Sequence, residues 1–187
     1  MITSTRLRDM RLLGISGSLR ARSSNTAALL AASRLVPAGV SLRVYDGLAG
    51  LPHFNPDLDH EGMDPPVPVA ELRRLIEAAD GVVFSTPEYA HGLPGSLKNA
   101  LDWLVSHPAF HGKAVAIVDT SARFSVHATA SLVEVLSTMG TRLMHEACVD
   151  LPLRGRQLDA EGILAEPALS SALRAGLAAL ARSNGEG

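Results

Sequence analysis

Only one cysteine, Cys148, stands in this chain, so no intrachain disulfide can form and a reducing compartment is the natural setting. Its neighbours Ala147 and Val149 offer no basic group that would make a reactive thiolate, which assigns the sulfur to packing. Charge of one sign is missing as well: 17 basic and 19 acidic residues leave a formal net charge of −2, and no broad field favours nucleic acid or an anionic membrane. Any anion site must be local. No run approaches the ~20 apolar residues that cross a bilayer, and Leu12-Leu13-Gly14-Ile15 is too short for a signal-peptide core. A soluble, cytoplasmic protein is predicted. Familiar patterns are also lacking. G-x-x-x-x-G-K-[ST] does not occur, Gly17 is followed by no glycine until Gly39, and Gly14-Ile15-Ser16-Gly17-Ser18 misses the last glycine of a nucleophile elbow. His107 and His111 flank Pro108, and His145-Glu146 lacks the second histidine of H-E-x-x-H, so no metal centre is predicted.

What is present is 47% hydrophobic content in 187 residues, enough for one sizeable core. One domain is predicted over 1–187, with 1–10 a loose leader and 183–187 a tail. The chain is organised around Arg11 to Asn25, RLLGISGSLRARSSN. Leu12, Leu13 and Ile15 suit a short buried strand, Gly17 allows a sharp exit, and Ala27 to Val36 is a helical run. A helix start presents amide N–H groups without acceptors and the positive end of the helix dipole, a ready place for a phosphate. Ser18, Ser23, Ser24, Asn25 and Thr26 add donors, and Arg20 adds a charged planar fork. Ordinary N-capping would use the same hydroxyls.

Val40 to Tyr45 alternates as a half-exposed strand, and Leu48 to Pro68 is a long proline-rich connection. Val69 to Ala79 reads as a helix and Gly81 to Thr86 as a strand. Pro87 to Leu104, PEYAHGLPGSLKNALDWL, is a rigid loop leading into a helix capped by Ser96. Lys113 to Asp119 reads as a strand buried on both faces. Ala128 to Met139 suits a helix, Thr141 to Leu151 a last strand, Leu153 to Glu166 an irregular stretch, and Pro167 to Arg182 a terminal helix. Trp103 belongs to the core or a subunit contact, Lys98 to a solvated or helix-pairing charge, and His91 is read either as a plain exposed loop residue or as a side chain that meets a small-molecule ligand at this loop. This alternation predicts a doubly wound α/β fold, a five-stranded parallel sheet in the order 2-1-3-4-5 with helices on both faces. Ligands of such sheets bind beyond the strand tips where the winding reverses, between strands one and three. Both unusual loops lie there.

Gly17 to Asn25 resembles the G-S-x-R-x-x-S-x-N segment of the NADPH-dependent FMN reductase family. Pro87 to Trp103 resembles that family's P-E-Y-N-x-x-x-P-G-x-L-K-N-A-x-D-W signature, with Ala90 in place of asparagine. The resemblance covers most of Arg11 to Gly140. It implies a flavodoxin-like fold that holds FMN non-covalently and passes hydride from NADPH or NADH to quinone, free flavin, azo or metal-oxyanion acceptors, as a homodimer or homotetramer. By position, Ser18, Leu19, Arg20, Ser23, Ser24 and Asn25 would hold the phosphate, Pro87, Glu88, Tyr89 and Ala90 would border the flavin ring, and Ser121 would touch it from a third loop. The third loop, Thr120 to His127, is bulkier and more basic than the glycine-rich loop common in the family. No catalytic side chain is expected, because the redox chemistry belongs to the cofactor. A non-enzymatic flavin- or nucleotide-binding sensor, or a scaffold that has lost flavin, are the readings left beside it.

Overall fold

The computed structural model describes residues 9–121 and 125–183, the side chain of Ser183 excepted. The leader reading therefore falls mostly outside the described residues; Met10 itself opens the first strand. Strands β1 (Met10–Ser16), β2 (Val40–Tyr45), β3 (Gly81–Ser85), β4 (Ala114–Asp119), β5 (Arg142–Leu143) and β6 (Val149–Asp150) alternate with helices α1 (Ser24–Ser33), α2 (Val67–Ala78), α3 (Gly95–Asp102), α4 (Val126–Thr138), α5 (Ala160–Ala165) and α6 (Pro167–Ser183). All pairs are parallel, in the order β2-β1-β3-β4-β5, with β6 also on β4. The flavodoxin-like order holds.

Period-two alternation divides the core. Leu12, Val83, Ala114, Ala116 and Val118 face α1, α5 and α6, whereas Leu13, Ile15, Val82, Phe84, Val115 and Ile117 face α2, α3 and α4. Small residues on both sides of the first layer, Ala27, Ala28, Ala31 and Ala32 of α1 against Ala114 and Ala116, let that helix sit close to the sheet. Its first turn is thereby held at the tips of the strands.

Several boundaries differ from those read in the sequence. Helix α1 begins at Ser24, because Ser23 caps it by accepting from Thr26 N–H at 3.2 Å, and it stops at Ser33 shortly before Pro37, whose ring disfavours helix in the preceding residue. Ser96 does not cap α3. That helix starts at Gly95, where the carbonyl of Pro94 accepts from the N–H groups of Leu97 and Lys98, each at 3.0 Å. The long last strand is two short ones separated by a turn at His145–Ala147. Between them Cys148 Sγ lies 3.4 Å from Ile117 N–H, occupying the place of a strand carbonyl, and burial raises its thiol pKa. The stretch read as irregular contains α5, capped by Asp159, whose carboxylate accepts from Gly162 N–H at 2.8 Å.

The proline-rich connection is pinned rather than loose. Trp103, fully buried, donates its indole N–H to Pro52 O at 2.9 Å and meets Phe54 edge to face at 5.0 Å. Lys98 pairs with Asp102 one turn on. Further along, Arg73 bonds Asp59 Oδ1 at 2.8 Å and Trp103 O, while Ser106 donates to Asp59 Oδ2 at 2.7 Å. Burial alone would raise the Asp59 carboxyl, but the bonds from Ser106 and Arg73 and the guanidinium charge outweigh it and hold the pKa low. A lowered carboxylate pKa stabilises the fold above the unfolded value near pH 4 and loses that effect as pH falls through the folded value. Urea unfolding of Asp59→Asn should therefore show a loss of about 1 kcal/mol at neutral pH, with the gap to wild type closing as the solution is acidified. A gap independent of pH would remove the ion pair from the account.

Candidate functional site

Three chain segments leave the carboxyl tips of β1, β3 and β4 side by side. The closest approach is at Gly17, whose N–H donates to Ser85 O at 2.8 Å. A Cβ there would lie 2.5 Å from Thr86 Oγ1 and 3.0 Å from Leu97 Cδ2, so glycine alone lets the first two exits touch. The third is tied in by Asn25. Its Oδ1 accepts from Thr120 Oγ1 at 3.0 Å and lies 2.9 Å from Ser85 Oγ, whose one proton is shared with Val118 O at 2.7 Å, joining α1, β3 and the end of β4 through one buried amide. With Oδ1 spent on two hydroxyls, Nδ2 is the donor left for a ligand.

Beside this knot lies a cavity of about 1120 Å³. Of the residues singled out in the sequence, Arg20, Ser23, Ser24, Asn25, Pro87, Glu88 and Ser121 line it; Ser18, Leu19, Tyr89 and Ala90 do not. Ser18 is instead a buried brace, its N–H on Ser16 Oγ and its own Oγ accepting from Arg20 N–H. The Arg20 and Arg22 side chains are exposed and make no hydrogen bond with the described residues. Ser23 caps α1 and also lines the cavity. At the start of α1 the N–H groups of Ser24 and Asn25 have no acceptor in the helix, the usual condition of a first turn. Two amides, a side-chain amide and two arginines thus converge on one mouth, the donor set a phosphomonoester dianion requires.

The third exit is organised by Asp119. Its Oδ1 accepts from both the N–H and the hydroxyl of Ser121, at 2.8 and 2.6 Å, and its Oδ2 from Ser125 Oγ at 2.7 Å. Ser121 lines the cavity with its donors already committed. The basic crowding read at Ala122, Arg123 and Phe124 lies outside the described residues. The second exit is a two-residue hairpin: Tyr89 and Gly92 exchange backbone bonds at 3.1 and 3.0 Å, with Ala90 at φ 48° and His91 at φ 58°. Asparagine suits such a turn far better than alanine, so the family's residue at position 90 has a backbone reason, and Ala90 carries strain of roughly 1–2 kcal/mol. Glu88 is spent on the third segment, its Oε2 accepting from the N–H groups of His127 and Ala128, both at 2.9 Å. That carboxylate caps α4 where Ser125 does not.

Sequence reading missed the far wall, formed by Leu153 to Ala160 with Arg154 and Arg156 among its residues. Its signal was available in principle, since any segment leaving the strand tips on this side borders the same crevice.

A parallel sheet of this order, with a donor-rich helix start and three exits around one cavity, defines a flavodoxin-like protein. The chain belongs to the NADPH-dependent FMN reductase family, whose pattern matches residues 10–152. It is 46% identical over 116 residues to an NAD(P)H-dependent FMN reductase of Pseudomonas aeruginosa, a stretch covering 61% of each protein. It is 36% identical over 115 residues to a quinone reductase of Escherichia coli, covering 60% of each. The aligned part is thus under two thirds of these relatives' lengths. Among solved structures, the flavoenzyme NAD(P)H:(acceptor) oxidoreductase FerB of Paracoccus denitrificans superposes with TM-score 0.72 at 27% identity, over 92% of this chain and 98% of that one. No helix among the described residues is long and apolar enough to cross a membrane.

Proposed function

We propose that this protein is an FMN-dependent NAD(P)H oxidoreductase acting on quinones or related small acceptors. The observation that carries the reading is the meeting of three strand exits at Asn25 beside a cavity whose mouth holds Arg20 and Arg22, whose side chains bond none of the described residues, and the first amides of α1. Bound FMN would supply the redox chemistry, receiving hydride from the nicotinamide and passing electrons to the acceptor.

The chain's part is to hold and shield. Arg20, Ser23, Ser24 and Asn25 would take the phosphate, the first by charge and fork, the others by N–H and hydroxyl donors. Pro87, Glu88, Tyr89 and Ala90 would border the ring through backbone and packing, and Ser121 would close the opposite side. Ser18 and Leu19 act by shaping the loop that presents Arg20. No side chain is assigned a proton transfer. Self-association into dimers or tetramers accords with exposed apolar side chains such as Val105 and Val126, and a cytoplasmic place accords with a nicotinamide donor.

One open crevice must serve donor and acceptor in turn. Steady-state rates with NADPH and a quinone both varied should therefore give parallel double-reciprocal lines, whereas intersecting lines would require both to bind together. Before that, the purified protein should become yellow with FMN and bleach anaerobically on adding NADPH. A protein that stays colourless has lost the site.

A further inference from the structure

A group of side chains on the crevice rim has no part in holding flavin phosphate. Glu88, His91 and His127 each offer one ligand atom, and these atoms all lie within 4.8 Å of one another. The two imidazoles stack at 4.3 Å between centroids with planes 24° apart. Neither ring makes a hydrogen bond to the described residues, and both are exposed. We infer that these three residues form a binding site for one divalent transition-metal ion of the imidazole-preferring kind, with zinc as the representative.

The donor chemistry fits. Two histidines and one glutamate leave a coordination place for water, and imidazole with carboxylate suits zinc, nickel or copper better than calcium or magnesium. Zinc bonds of about 2.0–2.2 Å need ligand atoms somewhat over 3 Å apart, so on binding the two exposed rings must turn out of their stack until both in-plane nitrogen lone pairs aim at one ion, a rotation that exposed side chains are free to make. The carboxylate is already oriented. Its Oε2 is fixed by the N–H groups of His127 and Ala128 at 2.9 Å each, the kind of outer-shell bonding that holds a ligating carboxylate in place.

The backbone points the same way. His91 meets His127 from a tight hairpin in which Ala90 and His91 both take positive φ, a conformation that disfavours residues with side chains. Strain held at a rim position beside a cluster of ligand groups has a use if it presents one of them. The bound ion would staple the hairpin after β3 to the first turn of α4, across the entrance of the crevice. Nothing in the histidine spacing predicted this, because His91 and His127 are 36 positions apart in the chain and meet only through the winding of β4.

The test needs no flavin turnover, so it stands or falls separately from the reductase reading. Zinc chloride is titrated calorimetrically, at neutral pH, into the FMN-treated full chain after dialysis against EDTA. About one zinc per chain is expected, with affinity at least about a hundredfold lower in His91→Ala and in His127→Ala, since loss of a direct ligand should match or exceed the upper end of outer-shell effects. His145→Ala, an exposed histidine elsewhere, should bind as wild type does. Zinc binding unchanged by the first two variants, lost equally in all three, or undetectable in wild type would overturn the site. X-ray absorption of the zinc-loaded wild type gives an answer independent of any variant: two imidazoles with oxygen support it, and a sulfur neighbour from Cys148 refutes it.

Discussion

Asn25→Asp is expected to leave the fold nearly as stable as wild type while weakening FMN binding by at least about tenfold; Asn25→Ala is expected to lower both. The two variants separate the two ends of one side chain. Aspartate still offers oxygens to the hydroxyls of Ser85 and Thr120, which stand at 2.9 and 3.0 Å from Oδ1. What it changes is the other end, where a donor becomes an anion facing the mouth that should receive phosphate. A hydrogen bond to a charged group is worth about 1.5–3 kcal/mol, so its replacement by repulsion should cost at least that. Alanine removes the acceptor instead. Ser85 keeps its bond to Val118 O at 2.7 Å, but the buried Thr120 hydroxyl is stranded at about 1–3 kcal/mol. At this chain length that is a fall in melting temperature of roughly 4–8 °C for the middle of the range. Equal flavin affinity in Asn25→Asp and wild type would take Asn25 out of the ligand site and leave it a structural tie.

Arg20→Ala should bind FMN between about tenfold and about a hundredfold more weakly at unchanged stability. The Arg20 side chain is exposed at the cavity mouth and its guanidinium bonds no described residue, while its backbone N–H bond to Ser18 Oγ survives the substitution. Arg20→Lys should recover part of the affinity, because a point charge remains while the two-pronged geometry is gone. Fluorescence titration of free FMN reads both effects. Affinity unaltered by either substitution would make Arg20 a solvated surface residue.

The order of the sheet was legible because buried parallel strands announce themselves as short apolar runs, as β1, β3 and β4 do, and the edge strand β2 by its alternation of apolar and polar residues. The edge was not. β5 and β6 are two residues each, and at the interruption between them Cys148 Sγ meets Ile117 N–H, a tertiary contact that no local pattern records. Helix starts suffered in a similar way. Ser96 has the chemistry of a cap, yet Pro94 begins the helix, and α4 takes its cap from Glu88, far away in sequence.

At the site, residue identities were readable and their tasks only partly so. The hydroxyl-rich run after Gly17 lies beside the cavity, but Ser18 turns inward as a brace and Ser23 both caps α1 and lines the cavity. Asn25 read as a phosphate ligand without any sign of its tie to Ser85 and Thr120. Position 90, where the chain departs from the family pattern, is instructive because the sequence alone does not show what the departure alters. In the folded chain it is a backbone matter, an alanine placed at φ 48° where asparagine is more comfortable.

Comparison of FMN with riboflavin, titrated into the flavin-free protein, bears most directly on the claim that the strand-tip cavity is built around a phosphate. Several charge-assisted bonds depend on that one group, so riboflavin should bind at least about a hundredfold more weakly than FMN. Equal affinities, or no binding of either, would contradict the account.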